Sequence, residues 1–177
     1  MLLRLFRTLF SSIFNMFGSP SHTAHATAKN SNTDGPAIAY YPQLIQHLEM
    51  DHQQLLSLYM SIGEAVALKQ YSHVAVKLNT FRQDFQAHLD AENIKFYGYL
   101  EQSLKDQSQE FASLRRFRKE MRTIERTVLK FLDHWIDMGV HANSAVEFKT
   151  QYDAIGAALV KRIESEEEEL YTLYAHA

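Results

Sequence analysis

The chain has 177 residues, 46% of them hydrophobic and 22% charged, which suits one domain with a sizeable core. Its net charge of −3 gives no overall drive toward nucleic acid, and the absence of cysteine excludes disulfides, thiolate metal sites and cysteine nucleophiles. That absence also fits a reducing compartment. Only 6 glycines and 3 prolines occur, and no proline lies beyond Pro42, so long helices are expected rather than many short strands.

Residues 1–17 precede the main domain. Arg4, Arg7, Thr8, Ser11, Ser12 and Asn15 recur at helical spacing and mark one polar stripe, with leucines and phenylalanines around it. Both charges are basic, so the segment reads first as an amphipathic helix lying in a membrane interface. It is too short and too interrupted to span a bilayer. A helix that docks on a partner and a cleaved signal are the alternatives. The expected location is cytoplasmic, peripheral at the inner membrane face. Residues 18–36 are small, polar and aperiodic and read as a flexible linker, with His22 and His25 solvated.

Four amphipathic stretches follow. The first helix is expected to start at Pro42 and to bury Ile45, Leu48, Leu55, Tyr59 and Ile62. After a break at residues 69–72, the second carries Leu78, Phe81, Phe85, His88, Glu92 and Tyr99 on its inner stripe. The third opens on an Asp106–Gln109 capping box and continues Leu114, Phe117, Met121, Ile124, Val128, Phe131 and Trp135, until residues 139–143 close it. The fourth opens on a Ser144–Glu147 capping box and continues Phe148, Tyr152, Ile155, Leu159, Arg162, Glu166, Glu169 and Leu173. Residues 37–177 are therefore expected to be all-α, an up-down-up-down four-helix bundle.

The informative positions are those where an apolar stripe fails. His52 lies four residues after Leu48 and three before Leu55, and so points inward with them. His88 and Glu92 sit one turn apart on the second helix, as do Arg162 and Glu166 on the fourth. Five such groups are kept in a bundle core only if they meet one another or an ion. Imidazoles and carboxylates from facing helices are what core metal sites use.

His52 within Asp51-His52-Gln53-Gln54-Leu55-Leu56, and His88-Leu89-Asp90-Ala91-Glu92-Asn93 followed by Phe96-Tyr97, resemble the first two ligand motifs of the hemerythrin-like HHE cation-binding domain family. Glu166-Glu167 followed by Leu170-Tyr171 resembles its last motif. The resemblance implies a four-helix bundle that holds a non-haem iron pair for oxygen carriage, iron or oxygen sensing, or stress responses. Two expected imidazoles are missing: Met121 stands in place of one and Arg162 in place of the other. The candidate metal ligands are then His52, His88, Glu92 and Glu166, enough for one iron or other divalent ion but thin for a pair. Arg162 can instead neutralise Glu92 and Glu166 as a fixed charge, and its guanidinium repels a nearby cation. A metal-free ion-pair network is accordingly expected over an intact iron pair. Phe148, Ile155-Gly156, Leu159, Arg162 and Glu166 on the fourth helix are also similar to the last helix of the bacterial regulator of sigma D family, which implies a metal-free, sigma-factor-binding type of protein.

The remaining features have plainer readings. His47, His73, His134, His141 and His176 are expected in solvent, Met121 as a gap-filling core residue, and Tyr59, Tyr97 and Tyr171 first as aromatic packing, with a hydrogen bond donated into the cavity as the alternative. Arg115, Arg116, Arg118, Lys119, Arg122, Arg126 and Lys130 read as a solvated face of the third helix paired with the acidic run at residues 164–169. No nucleic-acid partner is expected, whereas a membrane surface through residues 1–17 and a protein partner are. No nucleophile triad, phosphate loop or dinucleotide fingerprint occurs. The expected function is therefore non-catalytic cation binding or sensing, and the alternative is a metal-free regulatory bundle.

Overall fold

The computed structural model describes residues 38–176, so the expected helix over residues 1–17 and the linker after it lie outside the described residues. Four rods make up the fold. The first is α1 (Leu44–Ala67). The second joins α2 (Tyr71–Ala91), a π-helical turn (Glu92–Tyr97) and α3 (Gly98–Ser103). The third is α4 (Ser108–Met138). The fourth joins α5 (Ala145–Ser165), a second π-helical turn (Glu166–Leu170) and α6 (Thr172–His176). No strand occurs among the described residues.

Residue pairs across the rods fix their directions. Tyr59 meets Phe81 while His52 meets His88, so the second rod runs against the first. Arg82 pairs with Asp133 and Arg118 with Glu101, which reverses the third against the second. Trp135 Nε1–H donates to Gln151 and Arg162 donates to the Phe117 carbonyl, which reverses the fourth against the third. The bundle is up-down-up-down, as the short connections require.

The expected element starts are corrected in detail. α1 begins at Leu44, and Pro42 lies in the turn before it. Neither capping box forms. The residue before α4 is Gln107, which makes no side-chain cap. Ser144 stands at the head of α5, but its hydroxyl turns back to the His141 backbone and leaves the helix N–H groups alone. α4 ends at Gly139, whose φ of 66° suits a residue without a side chain.

Two inner stripes also depart from expectation, for one reason. After Glu92 the buried positions are Phe96, Leu100 and Leu104, with Tyr97 beside them, and Tyr99 is only half-buried. After Glu166 they are Leu170 and Tyr174, with Tyr171 beside them, while Glu169 is exposed and Leu173 half-buried. Each shift follows a π-helical turn. In the fourth rod the Tyr171 N–H donates to the Glu166 carbonyl five residues back, at 2.8 Å. Such a turn takes one residue more than an α-turn and rotates everything beyond it by about 100°.

The core falls into two hydrophobic parts. The larger gathers residues such as Leu55, Tyr59, Leu78, Phe81, Trp135 and Phe148, and the smaller gathers Leu44, Leu48, Phe96, Leu114, Leu170 and Tyr174. A polar layer lies between them on three of the four rods: His52 separates Leu48 from Leu55, Glu92 separates Leu89 from Phe96, and Glu166 separates Ile163 from Leu170. In the larger part Tyr59 and Tyr152 stack with ring centroids 4.3 Å apart, and each hydroxyl donates to the other's backbone carbonyl. Among the described residues no helix is long and apolar enough to cross a membrane.

Candidate metal centre

Five polar side chains are fully buried among the described residues: His52, His88, Glu92, Arg162 and Glu166, none more than 5% exposed. They are the five that interrupt the apolar stripes, and the structure brings all of them into one layer. α1 supplies His52, α2 supplies His88, and α5 supplies Arg162. Each glutamate is the first residue of a π-helical turn. Such turns recur at functional sites because the widened backbone redirects the side chains that follow.

Here the redirected side chains are tyrosines. Tyr171 donates its hydroxyl proton to Glu92 Oε1 at 2.9 Å and also lies 3.4 Å from His52 Nε2. Tyr97 receives a hydrogen bond from Arg162 at 3.0 Å. Both tyrosines pack against Phe96, the first of their sequence readings, and both reach the polar layer, Tyr171 as the donor of the second reading and Tyr97 as an acceptor. Tyr59 does not, since its hydroxyl serves the Tyr152 carbonyl.

The cluster divides into two halves. On one side Arg162 Nε donates to Glu166 Oε1 at 2.6 Å, and its other nitrogens reach the Phe117 carbonyl and Tyr97. The guanidinium carbon also sits 5.2 Å from the centre of the Phe117 ring. On the other side His52, His88 and Glu92 each offer one ligand atom, and these atoms lie within 4.8 Å of one another. The two imidazole rings are 4.7 Å apart. Two buried atoms there have no hydrogen-bond partner: His88 Nδ1 and Glu92 Oε2.

Outer carboxylates orient both imidazoles. His52 Nδ1 is 2.9 Å from Glu167 Oε1, so Nε2 is the nitrogen turned to the interior. His88 Nδ1 lies 3.6 Å from Asp51 Oδ2, too far for a direct hydrogen bond but within ion-pair range. Carboxylate–imidazole pairs of this kind set the tautomer and basicity of metal-binding histidines. Asp51 and Glu167 were not singled out in the sequence. The only signal was adjacency, as each stands next to a buried residue of a quoted motif.

Burial and charge set the protonation of the cluster. Burial works against the His52 imidazolium, but its hydrogen bonds to Glu166 and Glu167 outweigh this and push its pKa up to about 9. Burial and the neighbouring Glu166 charge raise the Glu92 carboxyl to about 7, against the pull of His88, His52 and Arg162. Burial also opposes the Glu166 charge, yet His52 and Arg162 hold its carboxyl below the usual value. Asp51 is likewise held down, mainly by His88.

A cavity of about 20 Å³ adjoins the layer, walled by His52, His88, Arg162 and Glu166 on one side and by Leu55, Phe85, Met121 and Leu159 on the other. That is room for one water-sized molecule. Met121 is buried in the apolar core, as expected. His47, His73, His134 and His141 are exposed, and the side chain of His176 lies outside the described residues.

A four-helix bundle that converges imidazoles and carboxylates from separate rods on one buried point defines the class of core-site helical bundles. The chain matches the hemerythrin HHE cation binding domain over residues 43–174, and it belongs to that family. No curated protein and no solved structure matches it significantly.

The donor set decides how well the family's iron pair fits. His52, His88 and Glu92 form a compact cluster in which Glu92 Oε2 is buried and unpaired, which suits one ion. Glu166, the fourth candidate ligand, is committed to Arg162 and faces His52 Nε2 at 3.3 Å. With Met121 and Arg162 where further imidazoles would be needed, the residues present do not fit a pair.

Proposed function

We propose that this bundle binds a single divalent cation, iron foremost, through His52, His88 and Glu92, in a non-catalytic binding or sensing role. The observation that carries the reading is the compact cluster of His52, His88 and Glu92, in which the buried Glu92 Oε2 has no hydrogen-bond partner. A buried polar group without a partner is costly, and an ion removes that cost. A bound ion would supply a positive charge and Lewis acidity in an apolar pocket. Of the chain's own residues, Glu167 holds the His52 ring, Tyr171 fixes one oxygen of Glu92, and Arg162 keeps Glu166 neutralised.

Metal analysis of protein purified without chelator tests this. The expected result is near one iron, manganese or zinc per chain, reduced at least tenfold by His88→Ala. Protein that stays metal-free even when incubated with each ion would sink the reading.

The second reading is a metal-free regulatory bundle, such as a sigma-factor-binding type, in which the guanidinium replaces the metal. It is favoured by the full engagement of Arg162 with Glu166, Phe117 and Tyr97. Stoichiometric co-purification of metal-free protein with a large partner would support it over the first.

A further inference from the structure

α4 carries seven of the chain's 18 basic residues between positions 115 and 130, against only Glu120 and Glu125. Arg115, Lys119, Arg122, Arg126 and Lys130 follow one another at steps of four, three, four and four, and all are exposed. They form one straight stripe about 22 Å long. It faces away from the buried stripe of Leu114, Phe117, Met121 and Val128. The expected pairing with the acidic run at residues 164–169 does not occur. Among the described residues no carboxylate pairs with any of the five, while Glu166 is taken by Arg162 and Glu167 by His52. The one ion pair of this region joins Arg118 to Glu101.

We infer that this stripe docks the bundle on an anionic membrane surface. Three observations select that occupant. A straight row of cations on the outer side of a rod matches an extended sheet of negative headgroups better than it matches a small ligand. No large exposed apolar or aromatic residue lies within the stripe to stack on bases. The third observation is where the described chain begins. The Ile38 N–H donates to Gln102 Oε1, and Gln102 is next to Glu101, the partner of Arg118 beside the stripe. Residues 1–17, basic and amphipathic in sequence, are joined to this point by residues 18–37, which reach at most about 70 Å. Both basic elements therefore lie within reach of one surface, and stable membrane attachment generally takes two such signals. The inference is independent of the cation site.

Flotation of the full-length chain with vesicles tests it, comparing pure phosphatidylcholine with a mixture containing about 30% phosphatidylglycerol. Wild type should favour the anionic vesicles, and the preference should fade as salt rises from about 0.1 M to 0.5 M. Arg115→Glu with Lys119→Glu and Arg122→Glu should weaken anionic binding by about 100-fold, roughly fivefold per basic side chain lost. Arg115→Lys with Arg122→Lys should keep it, because a lipid surface reads charge and not the guanidinium fork. These side chains are exposed, and the salt series on wild type tests the inference even if the reversal variant fails to fold. Unchanged binding by the reversal variant would overturn the inference, as would equal binding to neutral vesicles. So would loss of binding in the lysine variant, competition by inorganic phosphate beyond its ionic strength, or tighter binding to RNA at the same salt.

Discussion

Arg162 occupies a position where the family resemblance implies an imidazole, and three hydrogen bonds tie it into the polar layer. Removing one member of a buried ion pair leaves the other charge uncompensated, at about 3–5 kcal/mol. Arg162→Ala is therefore expected to destabilise metal-free protein by about that much in urea unfolding. A loss below about 1 kcal/mol would mean that His52 alone neutralises Glu166. The five buried polar groups were legible in the sequence because each interrupts an apolar stripe at helical spacing. Asp51 and Glu167 were not, since each sits one residue off its stripe. Periodicity reports which face a side chain occupies, but not that a rim carboxylate bends inward to hold an imidazole. The division of labour was also hidden. Sequence pooled both glutamates as ligands, whereas the structure gives Glu166 to the arginine and leaves Glu92 with the histidines.

At the level of elements, the four rods and their order were legible because the inner residues recur at steps of three and four along each. The π-helical turns were not. Their stripe looks continuous in sequence as far as Glu92 and Glu166, and an extra residue per turn then moves the inner positions from Tyr99 to Leu100 and from Leu173 to Tyr174. Nothing in composition marks such a turn, because its residues have ordinary helix propensity. The capping boxes failed for a related reason: spacing alone does not decide whether a hydroxyl faces the helix or the preceding loop. Packing between α1 and α5 is close enough to test. A Cβ on Gly63 would lie 2.7 Å from Tyr152 Oη, whose hydroxyl is bonded to the Tyr59 carbonyl. Gly63→Ala must displace that ring, and despite the better helix propensity of alanine it is expected to cost about 1–3 kcal/mol. Chemical denaturation measures this. Tyr152→Phe in the same background should recover part of the loss, and no recovery would place the clash elsewhere.

For the molecule as a whole, ion binding and folding are linked. A ligand that binds the folded chain alone, at a hundred times its Kd, adds about 2.7 kcal/mol. For a domain of this size that corresponds to a rise in Tm of about 5–10 °C. Calorimetry with and without chelator should show the rise for wild type and lose it in Glu92→Ala. Identical melting in both conditions would count against the cation site. Arg162 adds a property that no titratable group supplies. A guanidinium keeps its proton throughout the physiological range, so one tie across the middle of the bundle is permanent. The scaffold then does not have to wait for a scarce nutrient before it assembles. Arrival of the ion becomes news delivered to a finished receiver, rather than the last part needed to build it.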